Sequence, residues 1–308
     1  MRRPRTLVLG AALLAAGLTL AACGSGGDGN EPAGGGSPKG TITVGVSGDF
    51  AESQLVAEMY AQVLEKAGYT VKRQLHLGAR EASDAALFSG KIDVKPEYLA
   101  YELPKLDPNA DTKGTAEQVF PRVREAAEAK SLEAIGPSPA NSTNVFVVTP
   151  ETAQNYSLTN MSSLAAVASK LTFGAPPDCK TNYACEKGLK QVYGITFKSI
   201  KSLDFGGPQT VAAIESGAAD VGELFSLDPT ITEKGWTVLD DDKDLQPAGN
   251  FFALIRKDKL NDEVEGLLGD VTNALTTDGM LELVGKVQVD KEDVATVARD
   301  FLTQQGLL

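Results

Sequence analysis

Hydrophobic and polar positions switch repeatedly between strand-like and helix-like spacing along the chain. Residues 41–46 and 69–77 have the spacing of short strands, and residues 55–64 and 80–89 have that of helices. The same alternation recurs between residues 144 and 252, and the C-terminal third is helical, with apolar spacing from Val264 to Leu275 and from Val294 to Leu302. This pattern predicts an α/β fold with mostly parallel strands and helices on the sheet faces.

One segment repeats at an offset of 127 residues: 85–94 aligns without a gap with 212–221, and the alignment carries Tyr98 onto Phe225. Each copy predicts a helix closed by glycine, then a strand that ends at the aromatic residue. Ligands of parallel α/β sheets bind beyond the carboxyl ends of the strands, so we expect Tyr98 and Phe225 on opposite walls of one cleft. Two unrelated units with core aromatic residues are the alternative.

The N-terminus has the pattern of a lipoprotein signal peptide. Basic residues precede an uncharged segment, 7–20, that is shorter than the roughly 20 residues of a membrane span. Leu20-Ala21-Ala22-Cys23 resembles the lipobox of bacterial lipoproteins. We therefore expect a signal peptide at 1–22, lipid on Cys23, a Gly-rich tether over 23–40 and a location on the outer face of the cytoplasmic membrane. A plain secretory peptide is the alternative.

Charge narrows the choice of partners. The formal charge of the chain is −12, and removal of the three arginines of the signal peptide makes it −15. Such a surface argues against nucleic acid and against broad contact with anionic lipid, so the membrane is expected to be reached through the anchor only.

Cys179 and Cys185 are the two remaining cysteines, six positions apart. Outside the cytoplasm, such a pair most simply forms a disulfide that closes a small loop. A metal site is the rival interpretation, and it is poor because the single histidine, His76, is far away in sequence. We expect no metal and no cofactor.

A series of motifs then suggests a family. In chain order they are V-S-G-D-F-A-E-S-Q-L-V-A-E-M-Y-A-Q (46–62), S-G-K-I-D-V (89–94), P-E-Y (96–98), N-V-F-V-V-T (144–149), P-D-C (177–179), G-G-P (206–208) and L-D-D-D-K (239–243). Together they resemble the osmoprotectant-binding proteins of glycine betaine/choline ABC importers over nearly the whole mature chain.

The resemblance implies a two-lobed type II periplasmic-binding-protein fold with two hinge strands and a ligand in the cleft. Lobe 1 is expected at 41–144 plus 251–308, and lobe 2 at 145–250. The implied partners are a small solute, a membrane permease and a cytoplasmic ATPase, with the binding protein itself a monomer.

In that family, an aromatic cage holds a quaternary ammonium group against the negative faces of the rings. Tyr98 matches a cage tyrosine, and Phe225 falls where another commonly lies. Two further cage positions are not aromatic here: they are Asn144 and either Gln209 or Thr210.

Other family positions differ as well. A basic residue near the first strand end is replaced by Gly48, a clamp arginine in the cysteine loop by Asn182, and a threonine after the cage tyrosine by Tyr101. The cationic groups of the family normally bind a carboxylate, so their absence weakens the expectation of a betaine or carnitine ligand.

Ser47, Asp49 and Phe50, at the end of the first strand, complete the set of candidate ligand contacts. Asp49 could balance a cation without a carboxylate, such as choline, or act as the N-cap of the following helix. A neutral polar or aromatic ligand is the alternative that the mixture of amides, hydroxyls and aromatic rings leaves open.

A lipid-anchored serine hydrolase is a remote alternative from another functional class. Gly45-Val46-Ser47-Gly48-Asp49 resembles a nucleophile elbow but lacks its second glycine at the right position. His76 is the only histidine available as a base, so we expect a binding protein and no enzyme.

Overall fold

The computed structural model describes residues 39–48, 50–78 and 80–308. Cys23, the signal peptide, nearly all of the tether and the candidate ligand contact Asp49 lie outside the described residues. Within the described part of the chain, every helix is too short or too polar to cross a bilayer.

The strands are β1 Thr41–Gly45, β2 Thr70–Gln74, β3 Val94–Tyr98, β4 Leu132–Ile135, β5 Asn144–Val148, β6 Thr172–Ala175, β7 Ser199–Ser202, β8 Val221–Phe225, β9 Thr237–Leu239 and β10 Phe251–Arg256. The helices are α1 Ala51–Lys66, α2 Arg80–Phe88, α3 Leu99–Leu106, α4 Ala116–Glu128, α5 Pro150–Tyr156, α6 Met161–Ala165, α7 Glu186–Gly188, α8 Pro208–Glu215, α9 Thr230–Glu233, α10 Asp262–Ala274, α11 Thr277–Gln288 and α12 Val294–Gln304.

The strands form two five-stranded sheets, ordered β2-β1-β3-β10-β4 and β7-β6-β8-β5-β9. We use lobe 1 and lobe 2 for these sheets with their helices. The expectation of mostly parallel sheets is only half right. In each sheet, the strand that has just crossed from the other lobe, β10 or β5, pairs antiparallel with both of its neighbours. A strand that arrives from outside the sheet is free of the crossover geometry that keeps βαβ strands parallel.

Two segments of backbone connect the lobes, and they pair with each other. Asn141 and Asn250 form an antiparallel bridge. The Ser142 amide donates to the Gly249 carbonyl at 3.0 Å, and the Gly249 amide donates to Asn141 Oδ1 at 2.9 Å. These two paired crossing segments correspond to the two hinge strands expected from the resemblance.

The core of lobe 1 is built around α1. Leu55, Val56 and Met59 are fully buried, and α1 packs against α10, α11 and α12. Full burial of each such side chain contributes about 1.5–3 kcal/mol to folding. The apolar spacing from Val264 and from Val294 therefore predicted two of the three C-terminal helices correctly, and these helices cover the face of lobe 1.

The internal repeat is confirmed at the level of single hydrogen bonds. The carboxylate of Asp93 accepts from the Thr43 amide at 2.8 Å, and the equivalent Asp220 accepts from the Thr172 amide at 2.7 Å. Each aspartate also donates its own amide to the carbonyl of the same threonine. The repeated glycines, Gly90 and Gly217, both have positive φ where the helix turns into the strand. Tyr98 and Phe225 thus end equivalent central strands.

Candidate functional site

A small cavity lies where the two lobes meet. Its volume is about 90 Å³, and it is lined by Phe50, Glu52, Arg80, Tyr98, Tyr101, Ser142, Asn144 and Phe225. Lobe 1 contributes the end of β3 and the starts of α1, α2 and α3, while β5 and β8 of lobe 2 contribute Asn144 and Phe225. β3 and β8 reach the cavity with their carboxyl ends, where ligands of α/β sheets bind, whereas the antiparallel β5 reaches it with its amino end.

Two of the predicted contacts join the lobes directly. The rings of Phe50 and Phe225 meet edge to face, with their centroids 5.5 Å apart. Phe225 in turn pairs with Asn144 in the register of β8 and β5. An edge-to-face pair contributes about 0.5–1.5 kcal/mol beyond the area that it buries, so this contact stabilises the closed arrangement of the lobes.

Tyr98 is held tightly within lobe 1. Its hydroxyl lies 2.8 Å from Ser53 Oγ and 3.3 Å from Glu52 Oε1, and its ring packs against Phe251 with centroids 4.7 Å apart. Only 5% of the residue is exposed. Burial raises the pKa of Tyr98 well above its usual value, so the hydroxyl remains protonated. Burial likewise raises the pKa of the Glu52 carboxyl beside it.

Arg80 is a site residue that sequence reasoning missed. The Arg80 Cζ atom lies 5.6 Å from the ring centroid of Tyr98 and 5.7 Å from that of Tyr101, within cation–π distance of both. Its Nε donates to Glu97 Oε2 at 3.1 Å. The sequence pattern marks Arg80 only as the start of a helix. Its distance of 18 positions from Tyr98 gives no indication that the two side chains touch.

A buried ionic cluster lies behind Arg80. Lys95 is fully buried, and its Nζ contacts the carboxylates of Asp84, Glu97 and Glu102. Burial opposes the charge of Lys95, but the carboxylates outweigh burial and raise its pKa. Burial and the charge of Glu97 raise the pKa of Glu102 well above its usual range. A protonated Glu102 leaves two cations, Lys95 and Arg80, balanced by two carboxylates.

A larger groove of about 820 Å³ lies beside the small cavity and shares Tyr101 and Asn144 with it. Asn182 lines this groove and not the cavity. Lys113 Nζ of lobe 1 lies 5.4 Å from the ring centroid of Tyr183 in lobe 2, so residues of both lobes meet along this groove as well. The Tyr101 hydroxyl is buried at the boundary and has no hydrogen-bond partner among the described residues. Burial raises the pKa of Tyr101 to about 12.

Two predicted contacts line neither space. Thr210 is fully buried, and its Oγ1 donates to Asp204 Oδ1 at 2.8 Å, so its hydroxyl serves the start of α8. Ser47 is buried just beyond the end of β1 but is absent from the residues that line the cavity and the groove. The site that the structure brings together therefore comprises five of the predicted residues: Tyr98, Phe225, Asn144, Phe50 and Tyr101.

The cysteine loop belongs to lobe 2. Cys179 and Cys185 are joined by a disulfide, and the Glu223 carboxyl lies 2.7 Å from Cys185 Sγ. Burial, with the nearby charge of Asp178, raises the pKa of Glu223 to about 8. Cys179, Cys185 and Glu223 form one of two clusters with metal-ligand spacing among the described residues. The two sulfur atoms of this cluster are already bonded to each other in the disulfide. The other, Asp84, Glu97 and Glu102, surrounds the Lys95 ammonium group.

The residues invoked for a hydrolase do not form a catalytic pair. His76 is exposed and lies beyond the end of β2, not within a strand as the sequence suggested. It lies beside Gly48, because a Cβ on Gly48 would be 3.6 Å from His76 Nδ1. Among the described residues, no hydrogen bond links Ser47 to His76.

The chain matches a known family over nearly all of its described length. The family described as the substrate binding domain of ABC-type glycine betaine transport system matches residues 40–304. An ergothioneine transport permease/ergothioneine binding protein of Helicobacter pylori is 27% identical over 261 residues, which are 83% of this chain. The chain spans about half, 46%, of the length of that relative. A glycine-betaine-binding protein of Pseudomonas aeruginosa is 26% identical over 272 residues, covering 84% of this chain and 86% of that protein.

Solved structures share the fold. A glycine betaine/carnitine/choline ABC transporter structure has a TM-score of 0.76 at 21% identity, covering 87% of this chain and 98% of that one. A choline binding protein in complex with choline has a TM-score of 0.57 at 16% identity, covering 86% of this chain and 89% of that one. These likenesses establish the two-lobed periplasmic-binding-protein fold that the sequence motifs implied.

Proposed function

Because the chain belongs to the family of substrate-binding domains of ABC-type glycine betaine transport systems, we propose that it captures a small quaternary ammonium solute between its two lobes and delivers it to an ABC importer. The names of its relatives and structural neighbours carry ergothioneine, glycine betaine, carnitine and choline as ligands. In this proposal the protein binds and releases its ligand without chemical change.

One observation carries the proposal: aromatic side chains from both lobes line a single cavity. Tyr98, Tyr101 and Phe50 come from lobe 1, and Phe225 comes from lobe 2. A ligand in contact with all of them stabilises the closed arrangement by its higher affinity for that state. Closure then presents a lobe surface that a permease can distinguish from the open one.

The methyl groups of a quaternary ammonium cannot donate ordinary hydrogen bonds, so ring faces and nearby acids have to hold the charge. The cavity offers the rings of Phe50 and Phe225, with the carboxyl group of Glu52. A neutral polar or aromatic ligand remains the second candidate, favoured by Ser142 and Asn144 on the same walls.

We further propose that lipid on Cys23 holds the protein on the outer face of the cytoplasmic membrane. A Gly-rich tether lets the lobes reach a permease from that anchor. Replacement of Cys23 by alanine is expected to release the protein from the membrane fraction, as measured by fractionation and immunoblotting. Retention of the variant in membranes would contradict the anchor.

A thermal-shift screen of the full chain, purified in detergent, tests the ligand class. It compares glycine betaine, carnitine, choline and ergothioneine with polyols and phenolic compounds. A ligand present at 100 times its dissociation constant stabilises the folded state by about 2.7 kcal/mol, which is a measurable shift in Tm. A shift with polyols or phenolic compounds, and none with the quaternary ammonium solutes, would favour the second candidate.

A further inference from the structure

The two tyrosine rings of the cavity already face a cation of the protein itself. The Arg80 guanidinium lies within 6 Å of the centroids of both Tyr98 and Tyr101. The second side of the Tyr98 ring packs on Phe251. The Arg80 guanidinium therefore occupies the face of Tyr98 that a ligand ammonium group would use, and its positive charge would repel that group.

The guanidinium is held in place from one side only. Its Nε donates to Glu97, which is itself bound to Lys95 at 3.1 Å. Within the described residues, neither of its terminal nitrogens makes a hydrogen bond to the protein. About a quarter of the Arg80 side chain is exposed, at 25%. A guanidinium group that is fixed at Nε, with its two terminal nitrogens available as donors, can bind a carboxylate through two parallel hydrogen bonds.

We propose that Arg80 is a specificity-determining residue that binds the anionic group of the ligand, so that the cavity selects a zwitterion with a carboxylate over a cation without one. This inference rests on the proposed function and names the ligand within its class. It differs from the sequence expectation, in which loss of the clamp arginine at the position of Asn182 weakened carboxylate recognition. The quaternary ammonium group then lies toward Phe50 and Phe225, away from Arg80.

Three probes of nearly equal shape separate the two charges. Glycine betaine carries both charges, choline carries the ammonium without the carboxylate, and 3,3-dimethylbutyrate carries the carboxylate with a neutral tert-butyl group. Isothermal titration of the full chain in detergent measures the three dissociation constants for the wild type and for Arg80→Gln. We expect the wild type to bind betaine at least about tenfold more tightly than choline.

In Arg80→Gln, we expect betaine affinity to fall at least about tenfold, while choline affinity stays the same or rises because a like charge has been removed. Arg80→Lys keeps the ion pair with Glu97 but lacks the fork, so it is expected to fold and to lose part of the preference. Arg299→Gln, an exposed position on α12, is the matched control and is expected to leave all three constants unchanged.

The outcomes separate the two proposals. Equal wild-type affinity for betaine and choline, or an equal loss of both in Arg80→Gln and Arg80→Lys, overturns the role of Arg80 and leaves the quaternary ammonium function standing. Binding of 3,3-dimethylbutyrate as tight as that of betaine, lost in Arg80→Gln, supports Arg80 and overturns the quaternary ammonium function. A wild type that binds none of the three overturns both.

Discussion

The Glu223 carboxyl group lies 2.7 Å from Cys185 Sγ, inside the core of lobe 2. A disulfide sulfur carries no hydrogen, so the hydrogen of this contact has to belong to Glu223. That agrees with the pKa of about 8 that burial and the charge of Asp178 give this carboxyl. Glu223 is thus a neutral acid in the folded protein near pH 7, whereas the unfolded chain ionises it near its ordinary pKa of 4.5.

The stability of the fold is predicted to fall with rising pH through this group. Between the unfolded pKa of 4.5 and the folded pKa of about 8, the folded state holds one more proton than the unfolded state. The stabilisation is fully present below 4.5 and is lost as the pH rises to about 8. One pKa unit corresponds to about 1.4 kcal/mol, so the loss is of the order of a few kcal/mol.

Glu223→Gln tests this, because the amide keeps the shape and a donor for Cys185 without ionising. Chemical denaturation at pH 5 and pH 8 is expected to show that the variant gains stability relative to the wild type at the higher pH. Glu292→Gln, at an exposed position, is the control and should follow the wild type. If the free energy of unfolding changes equally in Glu223→Gln and in the wild type between pH 5 and pH 8, Glu223 does not titrate as described.

Lys95 is predicted to be the most costly single lysine to remove from lobe 1. Lys95→Met leaves the buried carboxylate of Asp84 without a cation and Glu97 with Arg80 alone, which is expected to destabilise the protein by about 3–5 kcal/mol. Lys105→Met removes an exposed ion pair with Glu81 and should cost about 1 kcal/mol or less. Urea denaturation of the two variants measures the difference, and equal losses would contradict the prediction.

Two variants of Tyr98 separate the contribution of its ring from that of its hydroxyl. Tyr98→Ala is expected to weaken ligand binding by at least about 1 kcal/mol, because it removes a cavity wall and the ring against which Arg80 packs. Tyr98→Phe loses the hydroxyl contacts with Ser53 and Glu52 but keeps the ring, so it should cost about 1 kcal/mol of folding stability with little loss of affinity. Calorimetry and thermal melts of both variants test this. An equal loss of affinity in both would assign binding to the hydroxyl.

The Phe50–Phe225 contact predicts coupling across the two lobes. Phe50→Ala and Phe225→Ala are each expected to weaken ligand binding, and the double variant should lose less than the sum by about 0.5–1.5 kcal/mol. A double-mutant cycle of dissociation constants measures the coupling. Strict additivity of the two losses would show that the rings act independently.

The sequence predicted the fold well because each lobe repeats a local pattern with one physical cause. Helical spacing, a glycine with positive φ and a β-rich run act within about fifteen residues, and the repeated pattern alone relates Tyr98 to Phe225. The antiparallel course of β5 and β10 was not predicted, because it depends on where the chain crosses between lobes. The preferences of single residues for helix or strand carry no information about where the chain crosses from one lobe to the other.

The site was predicted less completely for a similar reason. Tyr98 and Phe225 follow from strand ends, which sequence patterns locate, and Asn144 follows from its match to a cage position of the family. Arg80 reaches the cavity because its side chain lies across the rings of Tyr98 and Tyr101, and the sequence pattern marked it only as the first residue of a helix. Thr210 is the opposite case, a residue that was predicted to contact the ligand and does not line the cavity. Its hydroxyl donates a hydrogen bond to Asp204 instead.

The edge-to-face contact of Phe50 with Phe225 also has a kinetic consequence. These two rings lie on facing walls of a cavity of about 90 Å³, so a bound solute leaves only after the walls have moved apart. The residence time of the solute is then set by the rate at which the lobes separate. Solutes that hold the lobes together more strongly should consequently stay bound longer, so that differences in affinity lie mainly in the dissociation rate.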